Sequence, residues 1–482
     1  MPVFLAVDLG AESGRVLRGS LRDGRLTVRE VRRFVNRPVA LPQGLHWDVL
    51  ALFADLSAGL DAAVSESGSP ADGVGIDAWG NDFALLDRDG RLIGNPWHYR
   101  DPRTRASTAL VAARAGAGAI YRTTGTPPLP INTASQLVAM EGSPQLEMAR
   151  RLVMLPDLFG YWLTGRLATE QTIASTSQLL DVATRTWAVD VIDKLGIPPR
   201  LFDFEVVPAG VRVGGLRAHP GVPLWTVAGH DTASAVAAVP AAAPTFGYIS
   251  SGTWSLVGLE LTAPVLTDAA MAAGFSNEAG VDGTIRFLRN GTGLWLLQRC
   301  RAAWDSPPYA DLVAAAADAP AFRGLVDPDD PRFVSPADMP ARIAASCRET
   351  GQPVPDDRAA VVRCILESLA CKHRWTLERA EELSGLRVDV VHIVGGGAAN
   401  PLLCQLTADL TGRPVLAGPV EATAVGNLLT QARATGALTS LTELRDVVAR
   451  SLPPRRFEPH GSDAVETAYT RFCALLDSGD RI

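Results

Sequence analysis

Lysine is almost missing from this chain of 482 residues: of its 45 basic side chains, Lys194 and Lys372 are the only lysines. Neither follows a glycine-rich loop, which excludes the lysine-dependent phosphate loop of many nucleotide hydrolases. A nucleotide bound here would have its phosphates held by backbone amides, hydroxyls, arginine and a metal ion. Cysteine is scarce as well. Cys300, Cys347, Cys364, Cys371, Cys404 and Cys473 form no C-x-x-C pair and no cluster with histidine, which argues against zinc. Buried free thiols in a reducing cytoplasm are the expected state. Cys347 and Cys364 flank one polar connection and are the pair to examine for a bridge. Long apolar runs are absent, so no membrane span is expected, and Asp8 interrupts the apolar start in a way that no secretory leader would. An excess of positive charge is absent too: the net charge is −7, and no basic stripe invites nucleic acid. What remains is 47% hydrophobic and 20% charged, an ordinary globular composition, at a length that suggests two or more domains.

The chain is organised around Val227-Ala228-Gly229-His230-Asp231-Thr232-Ala233-Ser234. Leu224 to Ala228 reads as a strand, Gly229 breaks it, and Thr232 to Val239 is small and Ala-rich, as the start of a buried helix would be. A His-Asp pair thus falls at a strand end before a helix, where open α/β sheets bind ligands. An aspartate there can take a proton from a substrate hydroxyl. The competing reading makes Asp231 the N-cap of the next helix.

Val3 to Leu9 reads as a strand, followed at once by Arg15 to Ser20 and then Leu26 to Phe34. The first turn, Leu9-Gly10-Ala11-Glu12-Ser13-Gly14-Arg15, is rich in small and hydroxyl residues and can present several N–H groups to an anion. Asp8 at its entrance could hold a hydrated Mg²⁺; an ordinary hairpin turn is the alternative. Tyr248 to Leu259 repeats this plan around Ser251-Gly252-Thr253. We place the domain boundary in Pro240-Ala241-Ala242-Ala243-Pro244, giving an N-terminal domain of residues 1–240 and a C-terminal domain of 241–482. Two such domains face to face would set two phosphate turns on opposite walls of a deep cleft.

Other stretches carry chemistry less clearly. Gly73 to Ala78 reads as a buried strand leading into Trp79-Gly80-Asn81-Asp82-Phe83, and Ala84–Leu86 with Leu92-Ile93 as a hairpin. Pro96-Trp97-His98-Tyr99-Arg100-Asp101-Pro102-Arg103 combines rings and charges suited to a polyol; a surface ion pair with a core Trp is the alternative. Thr169 to Leu180 is hydroxyl-rich and suits a cleft lining. Asn290-Gly291-Thr292-Gly293 reads as a capped helix start, with Asn290 and Gln298 facing the cleft. Asp305 to Pro340 reads as a surface excursion. Gly395-Gly396-Gly397, between a buried strand and a helix, lets a planar ligand approach and leaves helix N–H groups for phosphate; its spacing is not that of a dinucleotide fingerprint.

Asp8-Leu9-Gly10 with Ser13-Gly14-Arg15, Gly229-His230-Asp231, Ser251-Gly252-Thr253, Gly395-Gly396-Gly397 and Glu421-Ala422-Thr423-Ala424 fall in the order seen in the FGGY carbohydrate kinases, and the resemblance covers nearly the whole chain. It implies an α/β fold of two actin-like, ribonuclease H-like domains, as in the sugar kinase, Hsp70 and actin superfamily. Within the family, Gly75 to Phe83, Tyr99-Arg100-Asp101, His230 to Ser234 and Gly293 to Gln298 resemble the blocks of members that phosphorylate L-rhamnulose. The implied reaction is ATP plus L-rhamnulose to L-rhamnulose 1-phosphate plus ADP. Carried over by position, Asp231 is the general base. Gly80, His230, Asp231, Thr232 and Asn290 contact the sugar. Ala11, Glu12, Ser13, Gly14, Arg15, Thr253, Gln298, Gly395, Gly396 and Gly397 hold ATP, and Asp8 serves Mg²⁺. Glu12 departs from what a phosphate turn wants, since it adds negative charge. A kinase for fuculose, xylulose or ribulose, an actin-like ATPase acting on a protein partner, and a non-catalytic sugar sensor remain alternatives. The expected partners are a ketose and ATP, with no nucleic acid and no membrane, in a monomer or homodimer.

Overall fold

The computed structural model describes residues 1–66, 70–334 and 338–479. The chain forms two compact α/β units that are interleaved in sequence rather than divided by a single cut. The first comprises residues 1–242, 261–287 and 422–452, and the second 243–260, 288–421 and 453–482. The first crossing follows Ala242, and of the four others two fall inside strands, between Glu260 and Leu261 and between Phe287 and Leu288, where no linker composition marks them.

The first unit is built on a sheet of six strands: β1 (Val3–Leu9), β2 (Ser13–Arg22), β3 (Arg25–Val35), β4 (Gly73–Ala78), β5 (Arg212–Gly215) and β6 (Pro223–Trp225), in the order β5-β6-β4-β1-β2-β3. All seven residues of β1 are buried, which is why it reads as an unbroken apolar run. It pairs antiparallel with β2 and parallel with β4, in a register that sets Asp8 opposite both Arg15 and Asp77. Helix α1 (Val49–Ser65), capped by Asp48, and the helix Ala422–Ala434 pack against this strand. The strand expected at Leu224–Ala228 ends at Trp225; the chain then runs without regular structure to α2 (Asp231–Ala237). Phe83–Leu86 pairs with Arg151–Met154, and Leu92 adds a single bridge to Leu86 in place of the expected hairpin strand.

The second unit repeats the plan. Strands β7 (Gly247–Ser251) and β8 (Trp254–Leu261) form a hairpin, joined by β9 (Ile285–Thr292), β10 (Val391–Val394), β11 (Val415–Ala417) and β12 (Arg455–Phe457), in the order β9-β8-β7-β10-β11-β12. As β1 does, β7 pairs antiparallel with the strand after it and parallel with a distant one, β10. Helices Trp295–Ala303, Arg358–Ser384 and Pro401–Thr411 supply Leu296, Leu297, Ile365, Leu366, Leu369, Leu403 and Leu406 to one core.

Two sequence expectations change here. Asn290 lies near the end of strand β9, not at a helix cap; the helix begins at Trp295, and its cap residue, Leu294, makes no side-chain cap bond. The segment 305–340 is not a surface excursion: Leu312, Ala316, Leu325, Val326 and Phe333 are buried in that core, and Tyr309–Asp318 is a helix. Its residues 335–337 lie outside those described. All six cysteines are free, Cys347 and Cys364 among them, and all but the half-buried Cys473 are buried. Among the described residues no helix is long and apolar enough to cross a membrane.

Candidate functional site

In the first unit the strand ends gather three aspartates. Asp8 is buried at the end of β1, and the Arg15 guanidinium donates to its Oδ2. Burial pushes the Asp8 carboxyl up and Arg15 pulls it down, with the nearby Asp231 charge adding to the rise. Asp77, its parallel neighbour on β4, is fully buried. Burial, then the Asp8 charge, hold its carboxyl well above the ordinary range, against a bond from Asn427. Asn427 Nδ2 donates to Asp77 Oδ2 at 2.6 Å, and Gln431 Nε2 donates both to Asn427 Oδ1 and to Leu5 O. Among the described residues Asp77 Oδ1 has no partner. The turn beyond Asp8 is held shut by Gly10 N to Ser13 O (2.9 Å) and by Asn36, whose side chain donates to Gly10 O. Glu12 is exposed in it.

Asp231 opens α2, and His230 rather than Asp231 holds the cap position, without a side-chain cap bond. The aspartate is therefore not spent as a cap. Its Oδ1 accepts from Thr232 N at 2.5 Å and Thr232 Oγ1 at 3.2 Å, and His230 Nδ1 lies 2.9 Å from the same oxygen. Among the described residues no donor reaches Oδ2, and the side chain retains 28% exposure. One oxygen is anchored and the other is left for a ligand proton, the arrangement that a general base requires.

The turn carrying Asp231 is pinned from behind. Glu170, buried, accepts from Gly229 N (2.9 Å), Thr172 N and Thr172 Oγ1, while Thr172 Oγ1 accepts from His230 N at 3.1 Å. Glu170 and Thr172 thus hold the turn before Asp231 from inside. Ala78 N donates to Gly229 O, and Ala78 bridges to His230, so Trp79-Gly80-Asn81 emerges beside His230-Asp231. A side chain at Gly80 would press on Thr176 at 3.0 Å, and Thr176 Oγ1 already accepts from Asn81 N.

The aromatic segment packs upon itself rather than forming a surface ion pair. Trp47 stands 4.3 Å from Trp79 and 4.2 Å from His98, which stacks on Tyr99. At the centre is Asp82, fully buried, which accepts from Trp47 Nε1 (2.5 Å), Trp79 Nε1 (2.9 Å) and Gln136 Nε2 (2.9 Å). Burial nevertheless outweighs these bonds and lifts its carboxyl to about 6. A raised folded-state value means that this group stabilises the fold below the unfolded value of 3.8 and loses that contribution as pH rises through about 6. Relative to Asp82→Asn, the parent protein should therefore lose up to ~3 kcal/mol between pH 4 and pH 7. Urea unfolding of both proteins across that range measures the difference, and a flat difference would contradict the account.

The second unit gathers the other candidates. Gln298 Nε2 donates to Thr253 Oγ1 at 3.3 Å, and Gln298 Oε1 is buried without a partner among the described residues. Gly395 has φ 81°, and a Cβ on Gly397 would meet Ser251 Oγ at 2.0 Å, so these glycines let the strand-to-helix turn lie against the β7 end. Asn290 occupies a stretch fixed by Asp329, which accepts from Thr292 N and Arg289 and pairs with Lys372 at 3.2 Å. Burial works to raise the Asp329 carboxyl, but Lys372 and Arg289 overcome it and bring it down to about 2. Lys372, one of the two lysines, thus serves a half-buried ion network.

The structure brings Asp8, the 11–15 turn, Gly80 and His230-Asp231-Thr232 into the first unit, and Thr253, Gln298, Asn290 and Gly395–Gly397 into the second. Sequence reasoning assigned no part to Asp77, Asn427, Asp82 or Glu170. Asp77 and Asp82 stood inside quoted motifs, and their burial among apolar neighbours was the available signal.

Models of the FGGY family of carbohydrate kinases match this chain twice, the N-terminal domain over residues 3–237 and the C-terminal domain over 247–435. Over 478 residues the chain is 42% identical to a rhamnulokinase of Bacteroides thetaiotaomicron, covering 97% of this chain and 98% of the relative. It is 43% identical to a rhamnulokinase of Pectobacterium carotovorum subsp. carotovorum, covering 98% and 96%. Among solved structures, a gluconate kinase from Lactobacillus acidophilus superposes with TM-score 0.79 at 15% identity, covering 100% of this chain and 98% of that one. Plasmodium falciparum glycerol kinase with ADP superposes with TM-score 0.77 at 15% identity and the same coverage. At such identity these two show the shared fold.

Proposed function

Because this chain belongs to the FGGY family of carbohydrate kinases, we propose that it transfers the γ-phosphoryl group of ATP to O1 of L-rhamnulose, releasing ADP and L-rhamnulose 1-phosphate. Full-length identity above 40% to rhamnulokinases supports the choice of sugar. The observation that carries the chemistry is Asp231, with one oxygen anchored and the other open.

In this reading Asp231 Oδ2 accepts the O1 proton as O1 attacks phosphorus. Gly80, His230, Thr232 and Asn290 contact the sugar. Gly80 lets it approach the backbone, since a side chain there would already crowd Thr176. The amides of Ala11 to Gly14, together with Arg15, Thr253, Gln298 and Gly395–Gly397, hold the nucleotide. Residues 1–240 supply the base and all the sugar contacts but Asn290, and the nucleotide contacts are shared between 1–240 and 241–482. Phosphoryl transfer is chiefly positioning and charge stabilisation, so amides and arginine replace the missing phosphate-loop lysine.

Among the described residues no group of three His, Cys, Asp or Glu side chains forms a ready-made metal cage. That suits Mg²⁺, which is commonly held by one or two carboxylates together with substrate phosphates and water. Asp8 would hold it, and the charge of Asp231 lies close enough to act on Asp8. When bound, the ion supplies charge neutralisation at the phosphate oxygens. The enzyme works in a reducing cytoplasm, a reading that the buried free thiols support, and acts as a monomer or homodimer.

The test is an ADP-release assay on L-rhamnulose, L-fuculose, D-xylulose, L-ribulose and no sugar. L-rhamnulose should give the highest kcat/KM. A faster rate with another ketose would reassign the substrate. Equal ATP hydrolysis without sugar would favour an actin-like ATPase, and sugar binding without turnover a sensor.

A further inference from the structure

Behind Asp231 stands a buried ionic row in which phosphoryl transfer by the residues above gives Glu278 and Arg286 no part. Arg286 is fully buried, and its Nη2 lies 2.9 Å from Glu278 Oε2 while its Nε donates to Ala279 O at 3.1 Å. Glu278, itself buried, places the same Oε2 3.5 Å from His230 Nε2, and the other ring nitrogen of His230 faces Asp231 Oδ1. The row therefore alternates from cation to carboxylate to imidazole to carboxylate, sealed at Arg286 and partly open at Asp231.

Its position is held firmly. The residues on either side of Glu278 are tied down, Asn277 N to Gly125 O at 2.8 Å and Ala279 N to Ser175 Oγ at 2.9 Å. Asn277 Nδ2 also donates to Val265 O at 2.9 Å. Stability alone does not account for such a row, because buried ion pairs are often replaced by apolar residues without loss. What Glu278 does touch, besides Arg286, is the histidine next to the base.

We propose that Glu278, anchored by Arg286, is a positioning residue that holds the His230 ring with Nδ1 against Asp231 Oδ1, so that Oδ2 stays turned toward the sugar hydroxyl. A base oriented by a second group, itself oriented by a third, recurs wherever a weak nucleophile must be activated. Thr232 hydrogen-bonds Oδ1, and the His230 ring stands in charge contact with the same oxygen at 2.9 Å. Without Glu278 the imidazole is free to turn about its ring torsion, and the carboxylate of Asp231 loses one of its two constraints.

The inference rests on Asp231 being the base, and the experiment keeps the two apart. Glu278→Gln, His230→Asn, the double variant and Asp231→Asn are assayed with ATP and whichever ketose the parent enzyme uses fastest. Glu278→Gln should lower kcat about tenfold or more, as small misplacements of catalytic groups do, with KM for ATP unchanged within about twofold. In the His230→Asn background the same substitution should cost nothing further, because residues acting through one another are not additive. A merely structural glutamate would multiply its effect with that of His230→Asn, and that result, or parental kcat in Glu278→Gln, overturns the proposal. If Asp231→Asn is slow while Glu278→Gln is normal, only the positioning role fails; if Asp231→Asn is itself normal, the base assignment fails first. Because Glu278→Gln leaves a buried guanidinium without its carboxylate, the charge-balanced Glu278→Gln/Arg286→Met is assayed beside it. It should show the same loss of kcat, and parental turnover in this folded variant also rejects the role.

Discussion

Asp231→Asn is expected to bind ketose and ATP and to turn over at least ~100-fold more slowly than the parent enzyme. The substitution is nearly isosteric. The amide oxygen can take the place of Oδ1, keeping the contacts to Thr232 N, Thr232 Oγ1 and His230. The amide nitrogen then stands where Oδ2 faced outward, a donor in place of an acceptor. Ground-state binding should survive, because the turn is pinned by Glu170 and Thr172 rather than by Asp231. What disappears is the proton acceptor for the attacking hydroxyl. Calorimetric titration with the sugar, together with kcat from ADP release, separates the two effects. Turnover within tenfold of the parent would remove Asp231 from its role.

Gly426→Ala is expected to destabilise the protein by about 3 kcal/mol or more, at the upper end of what overpacking costs. Gly426 lies in the helix Ala422–Ala434, which packs against α2. In an exposed helix the change would stabilise by about 1 kcal/mol, since alanine is the better helix former. Here an added Cβ would stand 1.8 Å from Ser234 O and 2.6 Å from Ser234 C. Those are backbone atoms of the helix that starts at Asp231, so no side-chain rotation relieves the contact. The helices must separate, and the base shifts with α2. Urea unfolding should show the loss, and any soluble fraction should show a lowered kcat. Stability within about 1 kcal/mol of the parent would mean that the close approach is not needed.

The glycine and the base illustrate which parts of this protein can be read along the chain. The strand ending at Asp8, the hairpin turn after it, the strand Gly73–Ala78 and the long helix 358–384 are local matters. Apolar runs, turn residues and a capping Asp357 suffice to place them, since each depends on neighbours within a few residues. Asn290 misled because Asn-Gly-Thr-Gly has the composition of a helix start, while pairing in the sheet keeps the strand extended through Thr292. The segment 305–340 misled because its prolines and charges hide apolar residues that point into the core of the second unit.

The order of the glycine and aspartate motifs, and hence the family and the choice of Asp231 as the residue to test, follow from the sequence alone, because each motif is a short run whose chemistry needs those residues in immediate succession. Tertiary structure alone decided the environment of each carboxylate. Asp77 meets Asn427 across a separation of 350 residues, Asp82 is caged by indoles from two segments, and Glu278 reaches His230 from a part of the chain that crosses back between units. Burial and charge act through space, so which aspartate is anchored, which is lifted in pKa and which is left with a free oxygen had to wait for the fold.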